Sequence, residues 1–320
     1  MSGAVAVAER RPRWATRDYS FAAPLAVLVL LLAFNLMFTP NFATRDTLTN
    51  IFTQMATTSI AAIGLTFVMA CGGIDLSVGS VMGLSAALAA VLVPRSLPLA
   101  LAAALLAGVA VGAMNGIMAA RLRIQPIVVT LASLIAVRGL AEIVSHNGQL
   151  ILISRTGFLA LGRGHLLSIP SPILAMLAVA VPASLLLTKT VFGRYLLAIG
   201  GSARAAELAG VPAVRMQTTA YMISGLLAAL AGLIEAARLG ASDAANIGFG
   251  VELDALAATV VGGTALAGGR ATIVGTLLGA LILQIVTTTL NMHLVGYAWS
   301  LITRAAILVL ALVVQGRRRA

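Results

Sequence analysis

The sequence predicts an all-α fold, a polytopic transmembrane helical bundle of about ten spans with broken or re-entrant segments. Three observations carry that expectation. The chain of 320 residues is 60% hydrophobic and 10% charged. Its apolar runs are each near the length of a membrane helix. Its basic residues gather in alternate connections. A soluble chain carries about 25% charged residues. At a mean hydropathy of +1.04, lipid is the fitting solvent.

A transmembrane helix needs roughly 20 mostly apolar residues. Ten segments meet that need: 21–38, 51–70, 74–93, 97–120, 124–144, 166–187, 216–237, 253–267, 271–290 and 297–314. The eighth is short and reads as re-entrant or broken. The organisation expected is an N-terminal tail at 1–20, a single transmembrane domain at 21–315 and a C-terminal tail at 316–320. Arg10, Arg11, Arg13 and Arg17 before the first run mimic a secretion signal. That run is long for one, and no small-x-small site ends it, so it reads as the first span.

Charge sets the orientation. With the N-terminus in the cytoplasm, fourteen basic residues fall on the cytoplasmic side: Arg10, Arg11, Arg13, Arg17, Arg121, Arg123, Lys189, Arg194, Arg204, Arg215, Arg270 and 317–319. Only Arg45, Arg95, Arg155, Arg163 and Arg238 fall outside. This follows the excess of Arg and Lys on cytoplasmic loops, and both termini land inside an inner membrane. The formal charge of +11 is thereby accounted for without nucleic acid as a partner.

Several chemistries are excluded. Cys71 is the single cysteine, so no internal disulfide or cysteine cluster forms. His146, His165 and His293 are scattered and match no metal-ligand spacing. No catalytic nucleophile–base pair is visible, and no metal or cofactor is expected. A phosphate-binding Walker loop needs Gly directly before its Lys. Lys189 is the only lysine, and Thr188 precedes it. If ATP drives this protein, a separate subunit hydrolyses it.

Glycine marks both packing and breaks. Gly79 and Gly83, Gly108, Gly112 and Gly116, and Gly275 and Gly279 recur at four-residue spacing. In lipid such spacing lets helix backbones approach, and plain helix packing is the reading. Gly72-Gly73 interrupts one apolar stretch; Gly262-Gly263 and Gly268-Gly269 bracket another. Glycine breaks at membrane depth are tolerated where protein or a water-lined cavity satisfies the backbone. Paired breaks in two halves of a chain point to a transport path.

The stretch Gly72-Gly73-Ile74-Asp75-Leu76-Ser77-Val78-Gly79-Ser80 is the most informative. Asp75 is placed to N-cap the helix that follows. Alternatively Asp75, Ser77 and Ser80 offer polar atoms to a hydroxylated solute. An ionisable residue at this depth is a functional candidate. With Gly262, Gly263 and Thr264 of the second break, these form the candidate substrate path. The longest cytoplasmic connection, 188–215, holds a predicted short helix at 203–209. Ser202 caps it, Gly210 stops it and Pro212 forbids continuation. It either docks a soluble partner or rests on lipid headgroups.

Other charged residues get smaller roles. Arg138 and Glu142 have the spacing of an ion pair on one helix. Arg304 has no evident partner. Glu235, Glu252 and Asp254 lie near outer span ends, at an interface or a vestibule.

These residues resemble a known family. Thr39-Pro40-Asn41-Phe42 and Gly73-Ile74-Asp75-Leu76-Ser77-Val78-Gly79-Ser80 are similar to the permeases of ribose-type ABC sugar importers. So are Phe192-Gly193-Arg194-Tyr195, Ala198-Ile199-Gly200-Gly201 with Ala205-Ala206, and Leu256-Ala257-Ala258 through Gly262-Gly263, Gly268-Gly269 and Gly275-Thr276. The resemblance runs from about Pro24 to the C-terminus. The stretch 291–299 also resembles permeases of furanose-form hexose importers, and Val313-Val314-Gln315 stands where family members often carry an acid.

The resemblance implies a monosaccharide path gated by alternating access. It implies two cytoplasmic ATP-binding subunits, a periplasmic sugar-binding protein and a second permease copy or paralogue. It implies that Arg194, Ser202, Ala203, Arg204, Ala205, Ala206, Glu207 and Gly210 couple the chain to the ATPase. The rival readings are a branched-chain amino-acid permease and an ion-coupled secondary transporter. A zwitterion asks for paired charges, and an ion-coupled carrier asks for a buried acid such as Asp75 or Glu142.

Overall fold

A computed structural model describes residues 22–317 of the chain. The expected tail at 1–20 and residues 318–320 lie outside the described residues. Thirteen helices and four two-residue strands make up the described part. The principal helices are α1 (Ala22–Phe38), α2 (Arg45–Ala70), α3 (Val78–Leu92), α4 (Leu97–Gly116), α5 (Pro126–Val144), α6 (Thr156–Arg163) and α7 (Ser171–Lys189). After them come α8 (Val191–Gly201), α9 (Ala203–Leu208), α10 (Ala213–Leu239), α11 (Val251–Val261), α12 (Ile273–Met292) and α13 (Tyr297–Arg317). A π-helical turn at Ile117–Arg121 extends α4.

Each of the ten expected spans coincides with a helix. Among the described residues, six helices are long and apolar enough to cross a membrane: α2, α4 with its π turn, α5, α7, α10 and α12. The outer helices expose large apolar side chains. Leu30, Ile135, Ile143 and Val181 are all exposed. Contiguous surface of this kind needs lipid to cover it.

Several boundaries shift by a few residues, and four departures from expectation have a local reason. The third span starts at Val78, not 74, because Ile74–Ser77 runs extended after Gly72 takes a left-handed φ of 83°. The eighth ends at Val261, not 267, because Gly263 is left-handed at φ 91°. The sixth starts at Ser171, because His165–Leu166 and Ile169–Pro170 pair as a small antiparallel hairpin. Residues 191–201, expected as loop, form α8. The Thr190 hydroxyl caps it by accepting from Gly193 N–H, and Gly193, Leu196 and Ile199 give it a buried face. The other strand pair joins Ile151–Leu152 to Ala241–Ser242.

The long helix α10 lies at the centre, against α2, α3 and α4. Its contact with α4 is a glycine seam. A side chain at Gly108 would strike the Gly225 carbonyl, and one at Gly116 would sit 2.7 Å from Thr218 Cα. Helix packing therefore explains that triplet, as it does Gly275 and Gly279 against α11. Gly79 and Gly83 differ. They make room for the side chains of Glu252 on α11 and Arg138 on α5 and for the 244–248 loop, not for another helix backbone.

Candidate functional site

The first break is held by a chain of buried polar groups. Asp75, Ser77 and Ser80 are fully buried. Asp75 Oδ1 accepts from the Ser77 N–H at 3.0 Å and from the Ser77 hydroxyl at 2.6 Å. Asp75 Oδ2 accepts from the Ser224 hydroxyl of α10 at 2.8 Å. Asn115 Nδ2 of α4 donates to Ser77 Oγ at 2.9 Å, and the Ser133 hydroxyl of α5 donates to Asn115 Oδ1. Every donor in this chain points toward the Asp75 carboxylate. Such a sequence of aligned bonds strengthens cooperatively in a low-dielectric interior.

This arrangement corrects the capping expectation. Ser77, not Asp75, occupies the N-cap position of α3, and no side chain caps it. Asp75 instead ties the extended segment to the bundle wall. The Ile74 carbonyl accepts from Thr130 Oγ1 at 3.3 Å and from the Tyr221 hydroxyl at 3.4 Å. The Ser80 hydroxyl donates back to the Ser77 carbonyl at 2.8 Å. The backbone freed by the break is thus satisfied by side chains of two neighbouring helices, as a broken membrane helix requires.

The second break meets the first. The Gly269 N–H donates to the Ala70 carbonyl at 3.1 Å. A side chain at Gly268 would lie 2.7 Å from both Gly200 Cα and Gly72 N. Gly72 follows the end of α2, Gly268 lies between α11 and α12, and Gly200 is in the last turn of α8. Three separate segments therefore converge backbone to backbone. Gly262 packs against Gly275. Thr264 is fully buried; its N–H donates to the Thr259 carbonyl at 3.0 Å, and its Oγ1 accepts from the Thr272 N–H at 3.4 Å.

One residue past α8, Ser202 N-caps α9, its Oγ accepting from the Ala205 N–H at 3.3 Å. Gly210 is left-handed at φ 80°, and Pro212 follows. The helix is one residue shorter than the predicted 203–209. Ala206 is its single buried residue. Arg194, Ser202, Ala203, Arg204, Ala205, Glu207 and Gly210 are exposed, and Leu208 is 77% exposed.

A cavity of about 380 Å³ lies at the opposite end of α2 and α10. Gln54 and Thr58 of α2 line it, roughly 18–24 Å along the helix from Ala70 at 1.5 Å per residue. Glu235, Arg238, Asp243, Asp254 and Arg304 form its charged wall. Four of them pair: Arg238 to Glu235 at 2.5 Å and Arg304 to Asp254 at 2.7 Å. Thr57 adds a bond to Glu235 Oε2 at 3.1 Å.

Arg304 therefore has a partner that its sequence position did not reveal. Arg138 does not pair with Glu142; its Nη1 donates to the Ala244 and Ile247 carbonyls, each at 2.7 Å. Glu235 and Asp254 line the vestibule, whereas Asp75, Ser77, Ser80, Gly262, Gly263 and Thr264 do not border it. Sequence reasoning passed over Asn115, Ser133, Ser224, Gln54 and Gln284. The available signal was an amide or hydroxyl inside an apolar helix, where polar groups mark function or packing.

The family model described as "Branched-chain amino acid transport system / permease component" matches residues 47–312. The ribose import permease protein of Escherichia coli is 39% identical over 304 residues, covering 92% of this chain and 93% of its own. The L-arabinose ABC transporter permease protein of Azospirillum brasilense is 37% identical over 317 residues, covering 98% and 93%. The galactofuranose transporter permease protein of Escherichia coli is 36% identical over 320 residues, covering 97% and 92%. No solved structure matches the chain. A family match over most of the chain, joined to sugar-permease relatives aligned nearly end to end, decides the assignment: this chain belongs to the inner-membrane permease subunits of ribose-type ABC sugar importers.

Proposed function

We propose that the chain forms the path by which a monosaccharide crosses the inner membrane, driven by ATP hydrolysed on separate cytoplasmic subunits. One observation carries the reading: the backbone contact of Gly72, Gly200 and Gly268. It ties the segment leading into α9 to both helix breaks. A push on α9 therefore reaches both breaks without a flexible link. Small shifts at such a packed junction are amplified because close-packed contacts are bistable, not continuously deformable.

The fourteen-to-five charge bias supports an orientation with α9 and both termini in the cytoplasm and the cavity at the periplasmic face. The exposed Arg204, Glu207 and Leu208 then meet the ATP-binding subunit, and buried Ala206 anchors the helix to the bundle. The periplasmic cavity receives sugar from a binding protein. Asn50, Gln54 and Asn291 are exposed on α2 and α12, both long and apolar enough to cross a membrane. Lipid would not solvate these amides; a second permease copy or paralogue on this face would screen them from lipid and leave them facing the path.

The relatives' names span ribose, L-arabinose and galactofuranose. The relatives' names, not the charge of the cavity, favour a sugar over an amino acid: Asp243 lines the cavity outside both ion pairs.

The test is uptake by the complete importer carrying Arg204→Glu or Ala206→Pro. The Ala206 N–H donates to the Ser202 carbonyl at 3.0 Å, and proline removes that bond. Both variants are expected to insert normally and accumulate no sugar. Wild-type uptake in either would remove the coupling claim.

A further inference from the structure

We propose that Gln54 and Gln284 form an amide latch between two chambers of the sugar path and select for neutral, hydroxyl-bearing solutes. The inference rests on the reading of the chain as a sugar permease and adds the residues that discriminate.

A second cavity, of about 270 Å³, adjoins the first. Gln54 lines both. Gln284 lines the first, and Thr288 and Asn291 line the second. Gln284 Nε2 donates to Gln54 Oε1 at 3.1 Å and to Thr288 Oγ1 at 3.4 Å. The amide pair thus stands where the two chambers meet.

The polar groups beside it are neutral and regularly spaced. Thr47, Asn50 and Gln54 follow a three-and-four spacing on α2; Gln284, Thr288 and Asn291 do so on α12. Residues at this spacing share one helix face. An apolar helix gains nothing from such a row toward lipid, and simple packing would bury it. Instead Gln54 is exposed.

The chemistry matches a polyol. Each amide carries two donors and an acceptor with two lone pairs. The latch bond leaves the Gln54 NH₂ and the Gln284 carbonyl oxygen able to bond a ligand. A sugar hydroxyl both donates and accepts. A sugar passing between the chambers can replace the amide–amide bond with two amide–hydroxyl bonds, so no buried polar group is stranded. An apolar solute would leave both amides unpaired.

The experiment measures uptake of labelled D-ribose, L-arabinose and D-galactose by the complete importer in cells lacking the native copy. Membrane levels are checked by surface labelling. Gln54→Leu and Gln284→Leu are expected to raise KM about tenfold or more, the scale of one lost hydrogen bond. Gln54→Asn keeps a polar group but opens the latch. It should raise KM less than Gln54→Leu does while reducing discrimination among the three. It also serves if a leucine variant fails to accumulate. Unchanged KM in the leucine variants, or unchanged discrimination in the asparagine variant, would overturn the latch. A wild-type importer that accumulates no monosaccharide would instead sink the sugar reading itself.

Discussion

The amide of Gly269 donates to the carbonyl of Ala70 across 3.1 Å, so the loop between α11 and α12 is bonded to the end of α2. Ala70 is the last residue of α2, and its carbonyl is one that a helix end leaves without an internal partner. The bond comes from a residue in the left-handed region at φ 79°, which glycine adopts without steric penalty. Two breaks nearly two hundred residues apart thereby form one joint, and Gly200 closes it from the third side.

Gly200→Ala tests that joint without disturbing a left-handed residue, because Gly200 is helical. An added Cβ would strike the Ala70 carbonyl and the Gly269 amide. Uptake should fall at least tenfold while the protein still reaches the membrane. Gly201→Ala, whose Cβ would meet nothing within 4 Å, should transport normally. The pair is read by labelled-sugar uptake alongside immunoblots of membranes.

Removing the Asp75 network should destabilise the protein. Asp75→Asn replaces one of the two accepting carboxylate oxygens with an NH₂ donor. Ser224→Ala strips one donor from Asp75 Oδ2. Leaving a buried group unsatisfied costs ~1–3 kcal/mol. Thermal unfolding in detergent should show a lower midpoint for both, with Asp75→Asn the worse. Equal midpoints for wild type and Asp75→Asn would show that the network carries no stability.

The α4–α10 seam separates structural from free glycines. Gly112→Val would drive a side chain into the Tyr221 carbonyl and should prevent accumulation, since overpacking costs ~1–3 kcal/mol or more. Gly139→Ala on α5 meets nothing within 4 Å. It should be neutral or stabilising by ~0.5–1 kcal/mol. Expression level and melting midpoint read both.

The ion pair of Arg304 and Asp254 should behave as a unit. Each side chain is about three-quarters covered, at 20% and 27% exposure. Arg304→Met should destabilise by ~2 kcal/mol, as expected for a charge-assisted hydrogen bond. The exchange Arg304→Asp with Asp254→Arg should recover part of the loss. Melting midpoints of the two single variants and the exchange supply the cycle. Additive losses would contradict a direct interaction.

Helices and stops were legible in the sequence because their causes are local. Apolar runs of span length located ten of the thirteen helices. Ser202, Gly210 and Pro212 gave α9 to within one residue. Contacts between distant segments were not legible. Asp75 meets Ser224 across 149 positions, Asn115 meets Ser77 across 38 and Arg304 meets Asp254 across 50. Neither spacing nor hydropathy encodes those meetings. The helix α8 was missed because Gly193, Gly200 and Gly201 lower helix propensity. Two of them are absent side chains at close contacts: Gly193 fits against the Leu187 carbonyl and Gly200 against Ala70. The row of amides and hydroxyls on α2 was visible as letters, but only the cavities beside it gave it a role.

The central claim is that force arrives through α9 from a separate ATP-hydrolysing subunit. The direct measurement is sugar accumulation in proteoliposomes, using labelled D-ribose, L-arabinose and D-galactose. The chain alone should accumulate none against a gradient, with or without ATP or an ion gradient. Adding the ATP-binding subunits, the binding protein and ATP should restore accumulation of the native sugar. Uphill accumulation by the chain alone would contradict the account.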